Sequence, residues 1–133
     1  MKKVFFILMV FLGITLSAYA DGRSCSVYGK PEYTVKLANG STMAKADDDG
    51  TISVSVVITG PKISPYRNGT LKVRVYVNAI DRTLNTIVGT GDKTVYVKDS
   101  PYSESAVGDE VIYIKNLTPG VYYNIRIDNA TCN

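Results

Sequence analysis

The stretch Leu71-Lys72-Val73-Arg74-Val75-Tyr76-Val77-Asn78 decides the fold. Its odd positions are apolar, and its even positions are polar or amphipathic. Successive side chains on a strand point to opposite faces, so this period of two gives one buried face and one wet face. The same period appears upstream, where Ile52, Val54, Val56 and Ile58 alternate with Ser53, Ser55, Val57 and Thr59. It appears again downstream, where Val121, Tyr123, Ile125 and Ile127 alternate with Tyr122, Asn124, Arg126 and Asp128. Half-exposed strands of this kind belong to antiparallel sheets. Weaker strand signals lie at 33–37, 84–88, 94–98 and 111–115. No segment has a helical period.

Turn chemistry separates these runs. Asp47-Asp48-Asp49-Gly50, Tyr66-Arg67-Asn68-Gly69, Gly89-Thr90-Gly91-Asp92 and Thr118-Pro119-Gly120 are rich in residues that tolerate positive φ or preset a turn. About seven short strands with frequent turns predict an all-β fold, an antiparallel β-sandwich. The run 99–109 is the longest irregular stretch and reads as a loop.

The N-terminus carries a secretory signal. Lys2 and Lys3 precede an apolar run from Val4 to Leu16, and Ser17-Ala18-Tyr19-Ala20 supplies a small-x-small cleavage pattern. A membrane-spanning helix needs about 20 apolar residues, more than this run holds. Gly22-Arg23-Ser24 ahead of Cys25 does not resemble the approach to a lipidated cysteine. Residues 1–20 are therefore read as signal peptide and 21–133 as one domain, secreted or periplasmic, with no membrane span after cleavage. The short, lysine-led signal has a bacterial character. Four Asn-x-Ser/Thr sequons, at Asn39, Asn68, Asn116 and Asn129, matter only in a host that glycosylates asparagine during export.

Composition excludes several chemistries. The 113 residues after Ala20 keep 13 of the 15 Lys and Arg against 12 Asp and Glu, so the excess positive charge falls to one. No clustered basic face suits a nucleic acid. With no His in the chain, a His-based triad, metal site or general base cannot form. The carboxylates are scattered over turns and outer faces, with no arrangement suited to an acid–base pair. The expectation is a non-enzyme without metal or cofactor. Gly89-Thr90-Gly91-Asp92-Lys93-Thr94 departs from a phosphate loop, because Asp92 stands before Lys93 and a strand-like run follows; it reads as a hairpin turn. Asp47-Asp48-Asp49 lacks the alternate spacing and closing Glu of a calcium loop, and reads as a solvated turn. Cys25 and Cys132 sit near the two ends of the exported chain, where an oxidising compartment makes a disulfide the default over a pair of free thiols.

The C-terminal run Val111-Ile-Tyr-Ile-Lys-Asn-Leu117-Thr-Pro119-Gly120-Val-Tyr-Tyr123-Asn-Ile125-Arg-Ile127 resembles the E strand, turn and F strand of a fibronectin type III-like domain. The resemblance rests on Leu117, Pro119, Gly120 and Tyr123, followed by Ile125 and Ile127. It implies a tyrosine corner: a buried Tyr123 ring whose hydroxyl bonds back to the turn. The family's buried Trp is missing, and five residues after Asp128 leave no room for a regular G strand. Either the domain has one strand fewer, or the N-terminal segment or another chain covers the F edge. The family topology also implies that Cys25, before the first strand, and Cys132, after the last, meet at one end of the sandwich.

That topology makes the strands carrying Arg74 and Tyr76 and those carrying Tyr122, Asn124 and Arg126 neighbours, so the five side chains form one outward patch. Tyr and Arg are enriched at binding hot spots. An ordinary wet sheet face is the alternative. The functional expectation is an exported, non-catalytic binding or assembly module for a protein or glycan. The alternative is a structural subunit of a surface appendage completed by strand exchange.

Overall fold

A computed structural model describes residues 22–26, 32–63 and 70–133. The expected signal peptide at 1–20 and the expected turn at 66–69, with the Asn68 sequon, lie outside them. The described residues form β1 (Gly22–Ser26), β2 (Glu32–Leu37), β3 (Met43–Lys45), β4 (Ile52–Pro61), β5 (Thr70–Ile80), β6 (Ile87–Asp99), β7 (Ser105–Ile114) and β8 (Tyr122–Cys132). All pairings are antiparallel, in the order β1-β2-β4-β7-β6-β5-β8-β3. The architecture is the expected all-β, sandwich-like one, with eight strands in a single curled sheet.

The curl follows from where the ladder is thin. Only Lys98↔Val107 and Asp99↔Ala106 join β6 to β7, so the sheet folds over there into halves β1-β2-β4-β7 and β6-β5-β8-β3. The inward sets of both halves make one apolar cluster, including Val35, Val56, Ile58 and Ile112 from one side and Val73, Val75, Val97 and Ile127 from the other. Val54, Val56, Val73, Val75, Leu117, Tyr123, Ile125 and Ile127 are all buried, so the alternation places each strand in the expected register. Val121 is the exception to its run. It precedes β8 in the turn, where its carbonyl accepts the Ala46 N–H, and its side chain is exposed.

Three expectations are corrected. Gly89-Thr90-Gly91-Asp92 is not a turn but the middle of β6, which joins the two predicted strands at 84–88 and 94–98; the hairpin lies at 81–86 instead. Gly91 serves close approach: a Cβ there would run into the Tyr113 carbonyl oxygen of β7. Gly108 is its counterpart on β7, where a Cβ would lie 2.7 Å from the Tyr96 carbonyl oxygen. The presumed loop 99–109 is mostly strand, since β7 begins at Ser105 and the connection shrinks to 100–104. Cys25 lies within a strand rather than before the first one, because Gly22–Ser26 pairs with β2.

Cys25 and Cys132 form a disulfide with Cα atoms 5.6 Å apart, inside the usual range. It joins β1, one end of the strand order, to β8 near the other, so the curled sheet nearly closes. The outer edge of β8 is met first by β3, at Met43↔Asn124, Ala44↔Tyr123 and Lys45↔Tyr122, and Ile125 N–H donates to the Thr42 carbonyl. Further along, Arg23 Nε donates to the Asp128 carbonyl at 3.3 Å. An N-terminal segment thus lies along the outer edge of β8 beyond β3.

Candidate ligand-binding face

The outer face of the β6-β5-β8-β3 half carries the sequence-predicted patch. β5 and β8 pair directly, with Arg74 opposite Thr131, Tyr76 opposite Asn129, Asn78 opposite Arg126 and Ile80 opposite Asn124. All five predicted residues therefore share one face, but they do not form one compact cluster. Arg74 and Tyr76 lie toward the disulfide end, and Tyr122 lies beyond Asn124 toward the opposite end, against Lys45 of β3.

The two ends differ in how their charges are spent. Arg74 Nη1 donates to Thr94 Oγ1 at 2.9 Å, and its Nη2 pairs with Asp92 on β6. The Asp92 hydrogen bond is the main cause that raises the Arg74 pKa, so this guanidinium is neutralised sideways within the face. Tyr76 beside it is 39% exposed. At the other end, Lys45 Nζ sits 5.9 Å from the centre of the Tyr122 ring, which is 49% exposed. The buried Nε of Arg126 has no hydrogen-bond partner. The two ion pairs among the described residues are Arg74–Asp92 and Lys93–Glu110, so neither Arg126 nor Lys45 takes part in one.

Between the two ends the outward side chains of β5 are covered. Along β5 the even positions point away from the core, yet Asn78 is 3% and Ile80 7% exposed. Neither belongs to the apolar core cluster, whereas their odd-numbered neighbours Val77 and Ala79 do. Two irregularities bracket this segment. Asp128 is an extra residue of β8 opposite the Tyr76–Val77 step, and Val88 is an extra residue of β6 opposite the Ala79–Ile80 step. A bulge bends its strand and increases the local twist. One on each neighbour of β5 brackets residues 77–80, where Asn78 and Ile80 are covered on the outer face. Alternation alone did not foresee the burial of Asn78 on the outer face. Its only signal was an outward Asn in an alternating strand, and the bulges that shelter it are invisible to periodicity.

The remaining features resolve into local structure. Asp47 Oδ1 accepts the N–H of Asp49 at 2.8 Å and of Thr51 at 3.0 Å, so its carboxylate stabilises its own turn. The Tyr123 hydroxyl oxygen accepts the Thr118 N–H at 3.0 Å, the back-bond expected of a buried tyrosine at this turn. No helix among the described residues is long and apolar enough to cross a membrane. No protein-family model matches the chain, and neither a curated protein nor a solved structure matches it.

Proposed function

We propose that this chain is an exported, non-catalytic binding module whose ligand-binding surface is the outer face of β5 and β8. The carrying observation is the paired register of those strands, which sets Arg74, Tyr76, Tyr122, Asn124 and Arg126 on one solvent-facing surface with both tyrosine rings exposed. Exposed tyrosines offer rigid, amphipathic contact area, the kind that anchors protein and glycan partners. Export is supported by the pattern of residues 1–20 and by the disulfide, a bond that persists in oxidising compartments. The non-catalytic reading rests on a chain without histidine whose two thiols are joined to each other. Kinship with fibronectin type III-like domains is supported by the Thr118–Tyr123 contact at the Leu117–Gly120 turn.

The test is a panel of immobilised glycans and purified surface proteins probed with the exported protein. Replacing Tyr76 and Tyr122 together by Ala should abolish capture on whichever ligand the wild type retains, with an unchanged urea unfolding midpoint. Undiminished capture by the double variant removes this face from consideration.

A further inference from the structure

We infer that Asn39 is a site of spontaneous covalent modification, at which the side-chain amide is lost to water through a cyclic imide formed with the Gly40 nitrogen. Asn39-Gly40 lies in the connection from β2 to β3, and both residues are exposed. Asn39 Oδ1 accepts the Ser41 N–H at 2.9 Å. The ring closed by that bond passes through the Gly40 nitrogen, so Cγ is folded back toward the atom that must attack it. The Ser41 N–H also points at the oxygen on which negative charge develops, an arrangement that lowers the barrier to attack on a carbonyl. Gly40 supplies the access. It sits at φ 71°, and beyond its chain neighbours no atom lies within 4 Å of where its Cβ would stand. Nothing there crowds the approach or the planar ring that results. The Gly40 N–H is bonded to the Leu37 carbonyl at 3.1 Å, a bond local to the turn, so no other strand has to move to free it.

The step balances with water as the only co-reactant. The Gly40 nitrogen bonds to Asn39 Cγ, the Cγ–Nδ2 bond breaks, and ammonia leaves with the proton that Gly40 gave up. Water then opens the ring at one of its two carbonyl carbons. Opening at Cγ leaves aspartate at 39. Opening at the backbone carbonyl leaves isoaspartate, with the main chain routed through the side-chain carbon. The fold withholds this chemistry at comparable places. Asp49-Gly50 has the same spacing, but Gly50 is buried, its N–H is bonded to the Asp47 carbonyl, and its own carbonyl accepts the Leu117 N–H. That Leu117 N–H is also the one that Asn116 would need. Asn129 precedes Ala130, whose amide lies within β8. Isoaspartate at 39 displaces the acceptor that positions Ser41, whose hydroxyl donates to the Met43 carbonyl at 2.9 Å where β3 begins. β3 covers β8 from Tyr122 to Asn124, so the modified chain holds that edge less firmly.

The experiment is incubation of the disulfide-intact exported protein in mildly alkaline buffer, followed by tryptic mapping with mass spectrometry that separates aspartate from isoaspartate. Trypsin releases Leu37–Lys45, in which Asn39 is the one amide side chain, and places Asn68-Gly69 on a different peptide. A synthetic Leu37–Lys45 peptide run alongside gives the rate without the fold. In the protein this segment should acquire both acidic forms, faster as pH rises, at a rate within about tenfold of the free peptide. Gly40→Ala should slow it by about tenfold or more, because a β-carbon crowds the attacking nitrogen. The urea midpoint of that variant confirms that a folded protein is being compared. Asp49-Gly50 should stay unmodified over the same interval. In the isoaspartate fraction the Ile125 N–H, bonded to the Thr42 carbonyl at 2.8 Å, should exchange with deuterium severalfold faster than in Asn39→Asp, which keeps the acceptor. A rate in the protein more than about tenfold below that of the free peptide, aspartate formed without isoaspartate, equal conversion at Asp49-Gly50, or indifference to Gly40→Ala each overturns the inference. Equal exchange of Ile125 in the two acidic forms overturns the link to β3 and leaves the modification standing.

Discussion

At the β1–β8 seam the curled sheet is held by a covalent bond, with Cys25 and Cys132 bridging two strands that share no backbone ladder. At the β6–β7 seam it is held by backbone proximity, with Gly91 and Gly108 removing the side chains that would keep the strands apart. Lys93 also reaches across that seam to Glu110 Oε1 at 3.1 Å. The difference shows two solutions to one problem. A sheet of eight strands has two edges to protect, and a small domain can either tie its edges together or bend so tightly that the halves cover one another.

Removing the tie gives the largest effect. Cys25→Ser with Cys132→Ser should lower unfolding free energy by about 3–5 kcal/mol, because the bridge closes a loop spanning 107 positions in sequence and its loss frees the unfolded chain. Urea unfolding with and without reductant measures it. A loss under about 1 kcal/mol would mean that the contacts of β1 hold the seam by themselves.

Crowding the other seam comes next. Gly91→Ala should cost about 2–3 kcal/mol, since the new methyl group meets a backbone carbonyl that has little freedom to move. Gly22→Ala is the control, because the nearest atom to its Cβ is 3.5 Å away, an ordinary contact. If both substitutions cost the same, close approach is not what fixes glycine in β6.

The smallest effect lies in the ion pair across the β6–β7 seam. The Lys93 hydrogen bond, with help from the Val111 N–H, holds the Glu110 carboxyl below its ordinary range. A carboxyl whose pKa is lower in the folded state stabilises the fold above the ordinary carboxylate range, and that contribution is lost as pH falls through the lowered value. Glu110→Gln should therefore lie slightly below the wild type in urea midpoint at neutral pH, with the two curves converging in acid. Parallel curves across the titration would show that the pair contributes nothing to this closure.

Much of the sandwich was legible because a half-buried strand writes its two faces directly into alternate residues. Ile52, Val54, Val56 and Ile58, or Leu71, Val73, Val75 and Val77, could be assigned inward from spacing alone, and all are buried. The pairing of Cys25 with Cys132 was legible from the signal-like N-terminal pattern and the positions of the two cysteines, and the Tyr123 back-bond from a local turn motif. Gly89 to Asp92 misled because glycine has one composition and two uses. Sequence shows that a Cβ is absent, and only the approach of Tyr113 from another strand shows why. The candidate site divides the same way. Alternation placed Arg74, Tyr76, Tyr122, Asn124 and Arg126 on an outer face. Which guanidinium is already paired, and that Asn78 is covered on that face, depended on side chains and bulges contributed by other strands. Periodicity reports on one strand at a time, whereas close approach, charge pairing and the covering of an outward side chain exist only between strands, and so tertiary structure alone decided them.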